Sequence, residues 1–281
     1  MTDSRHGKIV NDQKRADVFL EAGGLDRTSL PIGFFDSGVG GISVLREAVR
    51  ILPNEDYYFF GDSANAPYGI KTPEEIRRLV LAHAEHMMRR GIKALVIACN
   101  TATSAAIQVL RERYAQIPVI GIEPALKPAL RVCPHPSVIV MATPATVAGE
   151  KFHVLSRQYD GEAEVYALGC PGLMEFVEQG ILSGPALEAH LRGLLENCPI
   201  RHPDAIVLGC THYPFVRGTL QKIVGENVQI LDGSVGTVLQ LQRRLAQENL
   251  LAAGNRKGQV IFEMSLPDKE PLCYKLLSLD G

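Results

Sequence analysis

The 281-residue chain lacks most of the marks that would set it apart from ordinary globular proteins. It has no charge excess. Its 29 Lys and Arg stand against 31 Asp and Glu, a net charge of −2, which gives no reason to expect nucleic acid or an anionic membrane as partner. No apolar run approaches the ~18 residues that a membrane span needs. Met1 to Arg15 carries charge but no apolar segment, so it does not read as a secretory signal. None of the six cysteines forms a close pair, which argues against a disulfide framework and against a Cys/His zinc site. Linkers rich in glycine, proline or serine are missing too, and no segment is of low complexity. What remains is a composition that can build a core, 46% hydrophobic and 21% charged. The expected compartment is the reducing cytoplasm, where the cysteines stay free thiols.

The organising stretch is Ala94-Leu95-Val96-Ile97-Ala98-Cys99-Asn100-Thr101. Its apolar residues read as a buried strand, and Ala105 to Tyr114 has helical composition. Cys99 is thereby expected at the carboxyl end of a strand and before a helix N-terminus, where open α/β sheets hold ligands. Thr101, Thr103 or Ser104 can cap that helix, whose free N–H groups favour an anion. The same field is expected to lower the thiol pKa from its usual ~8.5. A lone cysteine after an apolar run could equally be a small buried hydrophobe.

The stretch occurs twice. Ala205-Ile206-Val207-Leu208-Gly209-Cys210-Thr211-His212 repeats the order of strand, cysteine, threonine and helix start. Other segments echo in step: Ile32 to Asp36 with Ile139 to Thr143, and Tyr58 to Asp62 with Tyr166 to Cys170. Two similar α/β halves are expected, each delivering one cysteine to a cleft between them.

Along the chain, Gln13 to Ala22 reads as a short appended helix and Pro31 to Phe35 as the first strand. The glycine-rich turn Asp36-Ser37-Gly38-Val39-Gly40-Gly41 departs from G-x-G-x-x-G and puts a carboxylate at its mouth, so a phosphate cradle is discounted. Thr72-Pro73-Glu74-Glu75 is a helix start with a capping box, the helix ending at Gly91. His83 and His86 on that helix read as solvated surface, for no third metal ligand lies nearby. Thr143-Pro144 opens a helix to about Tyr159. The segment after Cys170 reads as a short helix closed by Gly180, and strands are expected at Val228 to Leu231 and Gln259 to Met264.

Two thiols aimed at one carbon from opposite sides can invert an amino-acid α-centre, one taking a proton and the other returning one. Each wants a partner: Asp36 for Cys99, and His212 for Cys210, with Glu178 as a carboxylate that could join the second group. Each also has a plainer reading, namely an N-cap for Asp36, a helix-start hydrogen bond for His212 and a solvated helix face for Glu178. A substrate α-carboxylate fits the N–H groups and hydroxyls at Asn100, Thr101 and Thr211. Its ammonium fits Asp36 or the oxygens around Ser37, without which a buried zwitterion loses more solvation than it regains. A thiol hydrolase would need one cysteine, and no lysine has the strand-end context for pyridoxal phosphate, so a cofactor-free reaction is expected.

At these residues the sequence resembles the bacterial glutamate racemases of the cofactor-independent aspartate/glutamate racemase superfamily. The matching segments are Phe35 to Gly41, Pro67-Tyr68-Gly69, Ala98 to Ala102, Ala142 to Val147 and Gly209 to Pro214, in family order. The resemblance implies two pseudo-symmetric α/β domains, each a mainly parallel sheet flanked by helices, with the active site between them. In boundaries this means an N-terminal extension at 1–30, a first domain of 31–122 plus 236–281, and a second of 123–235. It implies interconversion of L- and D-glutamate for peptidoglycan, with no cofactor and no metal, and is compatible with a homodimer. Cys99 would take the proton from D-glutamate and Cys210 from L-glutamate, assisted by Asp36, His212 and Glu178. Substrate contacts are implied at Asp36, Ser37, Pro67, Tyr68, Gly69, Asn100, Thr101, Thr143, Thr146, Thr211 and His212. A silent binding protein on this scaffold, or a one-thiol relative such as a decarboxylase, is the alternative.

Overall fold

The computed structural model describes residues 26–149, 161 and 163–279. The appended helix expected at Gln13 to Ala22 lies outside the described residues; the helix expected from Thr143 to about Tyr159 instead ends at Ala148, Gly149 being already extended, and 150–159 lie outside the described residues. Among those residues every strand pairing is parallel. Parallel strands covered by helices on both faces must be apolar throughout, and the sequence complies: all residues of β1 (Ile32–Asp36), β2 (Tyr57–Gly61) and β3 (Ala94–Ile97) are buried. With β4 (Val119–Gly121) and β9 (Val260–Met264) they form one sheet in the order β4-β3-β1-β2-β9. The second sheet holds β5 (Ser137–Ala142), β6 (Glu164–Gly169), β7 (Ala205–Leu208) and β8 (Gln229–Asp232) in the order β6-β5-β7-β8.

Read from the other edge, the second order is 8-7-5-6, which repeats 4-3-1-2 of the first. The sequence echo is therefore a repeat of topology. Strands β3, β1 and β2 of the first sheet and β7, β5 and β6 of the second end side by side, bringing Cys99, Asp36 and Asp62 to one sheet end and Cys210, Thr143 and Cys170 to the other. The C-terminal segment returns to the first sheet. β9 pairs with β2, and the helices Ser234–Gln247 and Glu270–Leu277 pack on Ile42–Ile51.

The local signals explain most element ends. Thr72 Oγ1 accepts from Glu75 N (3.3 Å) while Glu75 Oε2 accepts from Thr72 N (2.9 Å), the reciprocal box opening Pro73–Arg89. Gly91 then takes φ 77°, a left-handed stop. Two further boundaries differ from expectation. The helix after β3 begins at Asn100, not Ala105, and its cap is Cys99 itself, whose Sγ accepts from Ala102 N at 3.5 Å. After Cys210, a 3-10 turn at Tyr213–Val216 precedes the helix Arg217–Val224, with Pro214 in a first-turn position where its missing N–H costs no bond.

His83 and His86 are not solvated surface. The His83 ring stacks on Phe60 (4.7 Å) and Phe35 (5.8 Å) and sits 3.0 Å from Asp62 Oδ2. His86 Nε2 lies 2.8 Å from Glu263 Oε1. A helix face read as exposed is covered by the bulky residues of β1, β2 and β9.

Candidate active site

The carboxyl ends of the two sheets face each other across a narrow cavity. It is lined from the first side by Ser37, Tyr68, Cys99 and Asn100, and from the second by Thr143, Cys210, Thr211 and His212. Its volume of about 10 Å³ is roughly that of one water. Both thiols are buried, Cys99 at 5% exposure and Cys210 at 7%. Gly69 and Thr101 also line the cavity, whereas Asp36, Pro67, Thr146 and Glu178 do not.

The surroundings of the two sulfurs differ. Cys99 Sγ lies 3.4 Å from Ser37 Oγ. Burial pushes its thiol up to about 12, and the charge of Asp36 adds to the rise against the hydrogen bonds from Ser37 and Ala102. This corrects the expectation of a lowered pKa: one weak N–H contact at a helix start does not outweigh loss of water plus a neighbouring carboxylate. Asp36 is wholly buried. Its Oδ1 accepts from Gly38 N (2.8 Å) and its Oδ2 from the Thr211 hydroxyl (2.9 Å) of the opposite half. Burial raises the Asp36 carboxyl above the ordinary carboxylate range, opposed by the charge of His212 and by these two hydrogen bonds.

Cys210 Sγ lies 3.7 Å from His212 Nδ1, and His212 Nε2 lies 2.9 Å from Glu178 Oε1. Burial works against a charged imidazole here, but the hydrogen bonds to Cys210 and Glu178 prevail and hold its proton well above the usual value. Glu178 responds in the opposite sense. Burial raises it, and the His212 hydrogen bond and charge, the Val39 N–H and Lys269 together bring it below the normal range. The second thiol thus has an ion pair behind it and the first a buried acid.

The glycine-rich turn serves this closeness rather than a phosphate. A Cβ at Gly40 would overlap the His212 ring, and one at Gly38 would overlap the Glu178 carboxylate. Hydroxyls close the remaining gap. Thr101 Oγ1 is 3.2 Å from both Thr143 Oγ1 and Thr146 Oγ1, and Ser43 Oγ donates to Thr211 O at 2.8 Å. Asn100 Oδ1 is a buried acceptor without a protein hydrogen bond.

Sequence reasoning missed a third group. Asp62, fully buried, accepts from the Tyr68 hydroxyl (2.7 Å) and from Asn65 Nδ2 (2.9 Å), with His83 beside it. Burial raises this carboxyl, but the neighbouring His83 and the hydrogen bonds from Tyr68 and Asn65 win and hold it low. The available signal was its place at the end of β2, matching Cys170 at the end of β6. Among the described residues, no cluster of three or more His, Cys, Asp or Glu could hold a metal ion. Among them, too, no helix is long and apolar enough to cross a membrane.

Residues 33–241 match the family described as Asp/Glu/Hydantoin racemase. The glutamate racemase of Clostridium novyi is 51% identical over 248 residues, covering 88% of this chain and 96% of that protein. The chain belongs to the glutamate racemase family. It is accordingly an enzyme, an amino-acid isomerase. The fold agrees: the glutamate racemase isoform RacE1 of Bacillus anthracis superposes with a TM-score of 0.80 at 31% identity, covering 89% of this chain and 95% of that one. The Francisella tularensis glutamate racemase, solved in complex with D-glutamate, has a TM-score of 0.76 at 29% identity, covering 90% and 95%.

Proposed function

We propose that this chain interconverts L- and D-glutamate by passing the α-proton between Cys99 and Cys210 on opposite faces of the carbon, with no cofactor. The observation that carries this reading is the pair of buried thiols, each at the end of the third strand of its own sheet, opening on one cavity. Acting on L-glutamate, the Cys210 thiolate takes the α-proton and becomes S–H. The C–H electron pair passes into the α-carboxylate, and the Cys99 thiol returns its proton to the other face, leaving a thiolate there. D-glutamate runs the same steps backwards. A Cys99 pushed up to about 12 suits the acid of the L-directed turn, and the charged His212 beside Cys210 supplies an opposite charge for that sulfur.

The same reading gives the other residues their work. Asp36 exchanges protons at the Cys99 side, while Glu178 holds His212. The helix start at Asn100 and Thr101, with Thr211, takes the α-carboxylate. Ser37 and Asn100 Oδ1 accept from the ammonium. Pro67, Tyr68, Gly69, Thr143 and Thr146 shape the side-chain end. A one-water cavity cannot hold glutamate, so the halves, 31–122 with 236–281 and 123–235, must part to admit it. The product D-glutamate would serve peptidoglycan synthesis in the cytoplasm.

Circular dichroism of each enantiomer, incubated with the protein and no added cofactor, tests the reading. Decay of both signals to zero, abolished in Cys99→Ser and in Cys210→Ser alike, supports it. Turnover that survives loss of either thiol overturns the paired mechanism, and no turnover of any amino acid leaves a binding role.

A further inference from the structure

Glu178 belongs to the half built on the second sheet, yet most of its partners come from the other. Val39 N donates to Oε1 at 2.8 Å, and Ser63 Oγ donates to Oε2 at 3.5 Å. Lys269, at the start of the helix Glu270–Leu277, donates from Nζ to the Glu178 backbone oxygen at 2.7 Å and lies 3.7 Å from Oε2. The lysine side chain is only 24% exposed and the glutamate side chain 12%. Lys269 lies beyond the residues that match the family.

We propose that Lys269 is a positioning residue for the Cys210 half-reaction. Its ammonium would fix both the end of the helix Leu173–Glu178 and the carboxylate that this helix carries, once the two halves close. The inference rests on the two-thiol reading above. Its physical basis is economical: the last carbonyls of a helix have no partner within it, and a cation there is favoured by the helix dipole. An ammonium has three donors, so one group can hold a backbone oxygen and a carboxylate together. A six-residue helix has few other means of fixing its last side chain.

From Lys269 the contacts run through Glu178 to His212 and on to Cys210. Asp36 and Cys273 also feel the Glu178 charge and neither is a cation, while Lys275 Nζ comes near Gly180 rather than the carboxylate. Among the described residues no hydrogen-bonded chain from a lysine runs to Cys99: its contacts are Ser37 and Ala102 N, with the charge of Asp36 beside it. Removing the ammonium therefore disturbs one proton transfer and spares the other. A merely stabilising lysine would affect both alike.

The test is the primary isotope effect with α-deuterated L- and D-glutamate on the wild-type protein, Lys269→Met and Lys269→Arg, with thermal unfolding followed alongside. Lys269→Met should lower kcat/KM about tenfold, the low end for a lost charge-assisted hydrogen bond. Its isotope effect should rise for L-glutamate, where Cys210 takes the deuteron, and fall for D-glutamate. Lys269→Arg should restore both towards wild type. If Lys269→Met does not fold, Lys269→Gln takes its place with the same expected pattern. Isotope effects unchanged in both directions in a folded variant overturn the inference. Failure of the two-thiol reading shows separately, as wild-type protein that does not racemise glutamate or that keeps its activity without either cysteine.

Discussion

Replacing Glu178 by Gln keeps the shape of the side chain and an oxygen for the Val39 N–H, but removes the charge 2.9 Å from His212 Nε2. The two side chains are 2% and 12% exposed, so the pair is weakly screened. A charge-assisted hydrogen bond in such a place contributes about 1.5–3 kcal/mol. At 1.36 kcal/mol per tenfold, that is a loss of about 10- to 150-fold in kcat/KM. The loss should be equal in the two directions, because the enantiomers are equally stable. The pH dependence has a definite sign. His212 is raised in the folded state, so its contribution to stability is complete below its unfolded value of about 6.5 and disappears as pH rises through the folded value. Glu178 is lowered, so its contribution is present above the ordinary 4.5 and disappears as pH falls through the folded value. Wild type should thus exceed Glu178→Gln in urea stability most between about pH 4.5 and 6.5, with the gap closing on either side. The alkaline limb of activity should also move to lower pH in the variant. A Glu178→Gln protein with unchanged kcat/KM and a stability gap independent of pH would refute the reasoning.

Three further outcomes follow from the geometry. Asp62→Asn should weaken the hold on the Tyr68 hydroxyl and raise KM more than it lowers kcat, by about tenfold for a hydrogen bond to a charged group; steady-state kinetics decides it. Gly40→Ala should displace the His212 ring and cost about 10²-fold in kcat, the scale of an ångström-level misplacement, while circular dichroism shows the fold kept. Phe34→Ala, at a position with no exposure in the heart of the first sheet, should cost about 3–5 kcal/mol in denaturant unfolding and leave the kinetics of the folded fraction unchanged.

The parts that were legible in the sequence are those carried by local chemistry. The apolar runs of β1, β3 and β7 announce buried parallel strands, and Thr72 with Glu75 announces a helix start. The paired echoes around Cys99 and Cys210 announce the two-fold topology that the sheet orders display. Contacts that depend on distant parts of the chain were not legible. Nothing near His83 in sequence says that Phe35 and Phe60 will cover it, and its reading as surface failed for that reason. Glu178 reaches Val39 across 139 positions, and although the sequence offers it as a carboxylate for the Cys210 group, nothing local points to this contact. Lys269 reaches Glu178 across 91 positions and had no such pointer. The sign of the Cys99 shift was misjudged because a helix start is visible in sequence, whereas burial and the approach of Asp36 are properties of the closed fold.

Two bases on opposite faces leave a signature that one base cannot imitate, and early-time mass spectrometry of each enantiomer turned over in D₂O reads it directly. With two cysteines acting from opposite faces, the product enantiomer carries one solvent deuteron at the α-carbon while unreacted substrate carries none, from either starting side. Product that retains the substrate's own proton, or deuterium appearing equally in both enantiomers, would contradict a proton taken by one cysteine and returned by the other.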